Sequence, residues 1–406
     1  MNRPRRRAAV AFVLVTLLLD AIGFGLVVPI FPELIRQLGH FDAGRASEWV
    51  GWLIATFALV QLVAAPLLGA LSDRLGRRPV ILWSCSGIAL NYLVLAWAPS
   101  LAWLFVGRVL AGISAANAPA ASAYISDVTP PEERSRRFGL IGAMFGVGFV
   151  LGPALGGMLG AVHIRLPFLV SAGLAGANAL YGLLVLPESL PRDRRVPFSW
   201  RTADPSAGLR LLAGDPMLWR LGVAWSCIWF AIGAMQSVFV LCNTLRFGWG
   251  PGQNGAVLAL SGLSSALVQG FLVRRVIGRL GERRTAMTAN LSSALGFLFY
   301  AFARWPWMIF VGIIFSTMGA MAFPSLRALI SMQAGPMRQG RAMGALSSVE
   351  GFTAIVGPPV AAALFAQFAG TAGAPGFSGA PFLASAAAYL AALLAVRGVV
   401  SGVPRP

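Results

Sequence analysis

Apolar stretches recur along the chain at roughly 8–32, 49–71, 79–98, 101–125, 138–160 and 166–186, and, after a polar interval, at 217–243, 253–273, 285–303, 306–331, 342–368 and 379–400. A helix needs about 20 largely apolar residues to cross a bilayer. The pattern therefore predicts twelve spanning helices in two sets of six, an all-α membrane protein. The polar interval 187–216 reads as a cytoplasmic linker between an N-terminal half, 1–186, and a C-terminal half, 217–406. The halves echo each other at an offset of 205 residues: Gly76 with Gly281, Gly139 with Gly344, and Gly152-Pro153 with Gly357-Pro358.

Composition narrows this further. The 406 residues are 57% hydrophobic and 11% charged, against about 25% charged in soluble proteins, so there is too little charge to coat soluble domains. The net charge of +18 comes from 32 basic residues, all arginine. They fall in clusters between apolar runs, which marks membrane orientation and excludes a nucleic-acid partner. With both termini placed in the cytoplasm, 25 arginines lie inside and five (Arg36, Arg45, Arg165, Arg246, Arg304) outside, as the positive-inside rule requires. Arg3–Arg7 before an apolar run resembles the start of a signal peptide, but no small-residue cleavage site follows, so the run is taken as the first helix. Cys85, Cys227 and Cys242 sit in apolar stretches and read as small core residues; His40 and His163 lie in loops, so no histidine metal site and no cofactor are expected.

Two acidic residues lie deep in the predicted spans: Asp20, about 18 Å into the first, and Glu350, about 12–14 Å into the eleventh, at 1.5 Å per residue. Carboxylates at such depth cost about 2.5–3.5 kcal/mol on insertion scales and mark pathways or proton relays. Glu350 reads as a proton-coupling group; Asp20 serves either that role or the bracing of a helix beside Gly23 and Gly25. Arg108 in the fourth span either tunes a neighbouring carboxyl group or snorkels to the interface. Arg327 snorkels, or pairs with Glu350 if its helix is in register.

The loop after the second span, Gly69-Ala-Leu-Ser-Asp73-Arg74-Leu-Gly76-Arg77-Arg78, combines turn-forming glycines with a carboxylate among arginines. It reads as a latch that breaks and remakes. Its counterpart has Gly278 where Asp73 would fall, so the latch is one-sided. The fifth span carries Gly139, Gly148, Gly152, Pro153, Gly156 and Gly157, a bending seam for close helix approach. Polar groups within spans are candidates to line a substrate cavity: Gln61, Asn91, Tyr92, Asn117, Asn178, Gln236, Gln269 and Asn290.

Over essentially its whole length the chain resembles the major facilitator superfamily. Gly69–Arg78, Arg108–Gly112 and Gly139–Gly157 resemble its loop 2–3, helix-4 and antiporter helix-5 motifs. Leu19-Asp20-Ala-Ile-Gly23-Phe-Gly25-Leu-Val-Val-Pro29, Ala65-Pro66-Leu-Leu-Gly69 and Arg246-Phe-Gly-Trp249 look like signatures of the tetracycline/proton antiporter family. The resemblance implies drug export against inward protons, a midplane site between the halves, and roles for Asp20, Gln61, Arg108 and Asp127. Three positions depart from that family: Asn91 stands for an aspartate before Tyr92, Ser265 for a histidine, and Ser293 for an aspartate. The expectation is a multi-pass protein of a bacterial inner membrane that exchanges protons for an amphipathic drug-like compound, tetracycline first. A multidrug or metabolite exporter, or a symporter on the same fold, is the alternative. Paired carboxylates and a nucleophile–base arrangement, which an enzyme would need, are not found.

Overall fold

A computed structural model describes residues 3–115, 117–191, 193, 195–196, 210, 212–335, 338–369 and 376–399; the central part of the predicted linker lies outside them. Among the described residues every regular element is helical. The first half contains α1 (Arg3–Val27), α2 (Phe31–Gly39), α3 (Ala43–Leu75), α4 (Arg77–Ala96), α5 (Leu101–Ser114), α6 (Asn117–Val128), α7 (Pro131–Val162) and α8 (Leu166–Val185). The second contains α9 (Pro216–Phe247), α10 (Pro251–Leu267), a π turn (Val268–Leu272), α11 (Val273–Ala301), α12 (Pro306–Met318), a 3₁₀ turn (Gly319–Met321), α13 (Ala322–Ala334), α14 (Gln339–Phe368) and α15 (Ala380–Arg397).

Ten described stretches are long and apolar enough to cross a membrane; one of them, Pro251–Ala301, takes in two of the predicted spans. The predicted span 101–125 is divided into α5 and α6. Pro119, in the first turn of α6, brings no N–H to the helix hydrogen-bond ladder and so favours a break ahead of it. Pro324 does the same in the second half, where the 3₁₀ turn Gly319–Met321 separates α12 from α13. The two prolines are 205 residues apart, so the repeat extends to the helix breaks. Gly76 and Gly281, also 205 apart, both have positive φ (110° and 75°) with ψ of 162° and 167°, a conformation that favours glycine. The predicted span 8–32 ends early, at Val27, ahead of Pro29, and the chain resumes as the short α2.

Helix ends follow local chemistry. The Asp215 carboxylate accepts from the Met217 and Leu218 N–H groups at 2.8 and 3.2 Å, with Pro216 in the first turn of α9. Gly248, at φ 67°, closes α9 in the left-handed conformation.

The described contacts divide into two compact units. One comprises 1–40, 56–204 and 250–262; the other, 41–55, 205–249 and 263–406. In the first, Phe12, Leu17, Ile81, Cys85, Tyr124 and Leu186 form a buried core. Asn178, one of the predicted lining residues, is buried there; its amide donates to Thr16 Oγ1 at 3.1 Å and to Cys85 Sγ at 3.6 Å, bracing α8 against α1 and α4. In the second, Phe239, Phe297, Tyr300 and Phe382 pack in tilted and edge-on pairs joining α9, α11 and α15. Large apolar side chains such as Trp83, Leu184, Phe271 and Ile314 stand 60% or more exposed, an arrangement suited to lipid.

Candidate functional site

In the first unit, α1, α4 and α5 bring together three predicted residues. Tyr92, buried on α4, feels the charges of both Arg108 and Asp20. A methyl group built on Gly23 would lie 2.8 Å from the Tyr92 hydroxyl, so the glycine admits the ring. The Arg108 guanidinium lies 5.0 Å from the Phe31 ring centroid and 6.0 Å from that of Phe57, a cation–π setting. Arg108 Nε and the buried Asn91 Oδ1 have no hydrogen-bond partner among the described residues. Gln61 is half-buried on α3; the side chain of Asn117 lies outside the described residues.

In the second unit the predicted register is met. Glu350 Oε1 on α14 accepts from Trp225 Nε1 on α9 at 3.2 Å and from Arg327 Nη2 on α13 at 3.5 Å. The Arg327 guanidinium stands 5.3 Å from the Trp225 ring. Phe323 meets Trp225 and Trp229 edge-on at 5.4 and 6.0 Å. Glu350 is 24% exposed and Arg327 57%, so the pair is loose and can part without stranding the arginine. Trp225 was not singled out from sequence, since a tryptophan among apolar residues carries no mark of its partner. Asn290 is fully buried, and neither of its amide atoms has a hydrogen-bond partner among the described residues. Gln236 and Gln269 are exposed, and Gln269 in the π turn donates to Ser265 Oγ of α10 at 3.2 Å.

The loop between α3 and α4, the predicted latch, holds a cluster of ion pairs. Arg77 Nη1 donates to Asp73 Oδ1 at 2.6 Å and to Ser72 Oγ at 3.2 Å, while Arg77 Nε reaches Asp127 Oδ2 at 3.3 Å. Ser189 Oγ donates to the same Asp127 oxygen at 3.1 Å. Arg78 Nη2 donates to the Leu183 carbonyl at 2.8 Å, and Arg74 is exposed. Gly69 has open space beside it.

Glu188, missed from sequence, holds the latch from the far side. Its carboxylate accepts from the backbone N–H groups of Arg77 and Arg78 at 2.8 and 3.3 Å, capping α4 from 111 residues away. The signal was Pro187-Glu188-Ser189 directly after a span, a carboxylate at the membrane surface. Glu188→Ala is expected to cost about 0.5–2 kcal/mol, as a lost N-cap does, and to lower the thermal unfolding midpoint in detergent. An unchanged midpoint would rule out the cap. Across the repeat, Glu282 stands at Arg77's place and Gly278 at Asp73's, so the Asp73–Arg77 pair has no counterpart at those positions.

The fifth-span glycines separate by position. Gly148, Gly152, Pro153, Gly156 and Gly157 are buried. A methyl on Gly152 would lie 2.7 Å from Gly25 Cα, one on Gly156 would strike the Leu26 backbone, and one on Gly157 would lie 2.9 Å from Gly255 Cα. Gly139 is exposed, and no described atom lies within 4 Å of a methyl built on it.

The family model of the Major Facilitator Superfamily matches residues 13–279 and 241–406. The tetracycline resistance protein of class C from Escherichia coli is 38% identical, covering 96% of each chain. That of class G from Vibrio anguillarum is 35% identical over 97% of this chain and 98% of its own. The crystal structure of the human organic anion transporter MFSD10 superposes with a TM-score of 0.71 at 27% identity, covering 98% of this chain and 100% of that one. The nucleoside transporter NupG, 14% identical, shares the fold with a TM-score of 0.76 over 98% and 99%. The chain, a multi-pass membrane transporter of small molecules, belongs to the major facilitator superfamily and groups there with the tetracycline resistance proteins.

Proposed function

We propose that the protein is a proton-coupled antiporter that exports an amphipathic, drug-like compound across a bacterial cytoplasmic membrane, with both termini in the cytoplasm and tetracycline as the first substrate to test. The observation that carries this reading is the Glu350 cluster: a carboxylate within a spanning segment, held by an indole N–H and by an arginine it can lose. A proton arriving on Glu350 cancels the attraction to Arg327 and leaves the Trp225 bond in place. One proton thus changes the forces among α9, α13 and α14. Asp20, whose charge reaches Tyr92 as that of Arg108 does, offers a second membrane carboxylate in the first unit.

The names of the relatives support tetracycline. Asn91, Ser265 and Ser293 leave the protein fewer ionisable groups than that resemblance implies, which favours a second reading: the same antiport acting on a different amphipathic compound. Gln61, Asn91, Tyr92, Asn117, Gln236, Gln269 and Asn290 remain the proposed contacts. Asn91 and Asn290 have the clearest claim, since each holds buried amide atoms without partners.

Inverted vesicles with an acidified lumen test this. Labelled tetracycline is expected to accumulate, and a protonophore to release it. No accumulation in sealed vesicles of verified protein content would overturn tetracycline and leave the second reading. Accumulation driven in the same direction as the proton gradient would overturn antiport.

A further inference from the structure

The start of α3 buries one helix face and turns another toward a surface depression. Ala46, Ser47, Val50, Gly51 and Leu53 are buried; Ser47 Oγ donates to the Ala362 carbonyl of α14 at 3.0 Å, and a methyl on Gly51 would lie 2.9 Å from Ala362 Cβ. On the opposite side, Arg45, Glu48, Trp49 and Trp52 follow the i, i+3, i+4, i+7 spacing of one helical face. Phe41 stacks on Trp49, centroids 6.1 Å apart and planes within 4°. These five residues line a depression of about 450 Å³. Arg45, Glu48 and Trp52 are exposed, Trp52 to 59%. Among the described residues neither Arg45 nor Glu48 is engaged in an ion pair.

The charges and rings suit one ligand chemistry. By the arginine distribution this end of α3 faces outward, and the apolar run begins at Trp49, so the depression lies where hydrocarbon gives way to headgroups. Tryptophans gather at that depth. An arginine side chain forks onto phosphate oxygens. A carboxylate flanked by aromatic faces attracts a compact ammonium, by charge and by cation–π attraction. A ligand with a phosphate and a primary ammonium a few bonds apart would engage Arg45 and Glu48 together, and its acyl chains would continue down the exposed apolar surface below Trp52.

We propose that the face formed by Phe41, Arg45, Glu48, Trp49 and Trp52 is a binding site for the headgroup of a zwitterionic, ethanolamine-type phospholipid of the outer leaflet. An anionic glycerol headgroup would satisfy Arg45 and meet repulsion from Glu48. A choline headgroup has no N–H to donate to that carboxylate.

Native mass spectrometry of the delipidated full chain, with phosphatidylethanolamine, phosphatidylglycerol and phosphatidylcholine added in turn, tests the assignment. The expected result is preferential retention of the ethanolamine lipid, with Arg45→Ala and Glu48→Gln each reducing that preference about tenfold, as loss of one charge-assisted contact predicts. Trp52→Phe, which keeps an aromatic face, is expected to retain it. All three positions are exposed, so thermal unfolding midpoints should match wild type and separate lost binding from lost fold. Equal retention of the three lipids by wild type, or an ethanolamine preference unchanged in Arg45→Ala and Glu48→Gln, would overturn the proposal. The readout does not depend on transport, so it stands apart from the antiport reading.

Discussion

Glu350→Gln is expected to keep the fold and to reduce gradient-driven transport to the level of empty vesicles. The glutamine carbonyl still accepts from Trp225 Nε1, which bonds the same oxygen as Arg327, so α9 and α14 remain tied. What is lost is a site that can exchange a proton. Arg327 is 57% exposed and lies two turns from the end of its helix, where a long side chain can reach the interface, so the stability cost stays near that of an exposed pair, roughly 0–1 kcal/mol. Asp20→Asn is the matching change in the first unit. Two assays separate coupling from binding: accumulation driven by a proton gradient, and exchange of labelled for unlabelled substrate with no gradient. The variants should fail the first and retain the second. Full gradient-driven accumulation by Glu350→Gln would show that the second-half carboxylate does not carry the proton. Failure of both assays with an intact melting transition would place Glu350 in substrate binding instead.

The sequence reading found what depends on local pattern. Apolar runs located the helices, because hydrocarbon tolerates backbone only when its hydrogen bonds are made within the segment. The Asp73–Arg77 ion pair was legible because the two residues lie one helical turn apart and Gly76 permits the turn. Contacts between distant segments were harder. Asp127 and Glu188 reach Arg77 and the α4 N-terminus from 50 and 111 residues away, and the Arg327–Glu350 pairing depends on how α13 and α14 are rotated. The helix breaks at Pro119 and Pro324 were readable in principle, since they share the 205-residue offset of the glycines. Helical periodicity obscured them, because apolar residues continue through both breaks. Among the proposed lining residues, sequence alone could not separate Asn178, satisfied by Thr16 and Cys85, from Asn290, buried with no bonds. Burial and bonding are properties of the packed helices.

The largest structural effect is expected at Gly156. Here α7 meets α1 backbone to backbone: a Cβ at Gly156 would enter the Leu26 carbonyl and lie 2.8 Å from its carbon, and one at Gly152 would lie 2.8 Å from the Ile22 oxygen. No side chain can rotate aside, because the obstructing atoms belong to the other helix's main chain. The helices would have to separate, and in a bilayer that separation loses van der Waals contact with no hydrophobic term to offset it. Overpacking a well-packed interior costs about 1–3 kcal/mol for small additions. Gly156→Ala should therefore lower the unfolding midpoint clearly, and Gly156→Leu should yield little monodisperse protein. Gly139→Ala supplies the contrast within the same helix. Among the described residues nothing lies within 4 Å of a methyl at that site, and alanine exceeds glycine in helix propensity by about 1 kcal/mol, so its midpoint should hold or rise. Equal midpoints for Gly156→Ala and Gly139→Ala would mean that α1 and α7 do not approach at Gly156, and the small residues there would then reflect only the general abundance of glycine in membrane helices.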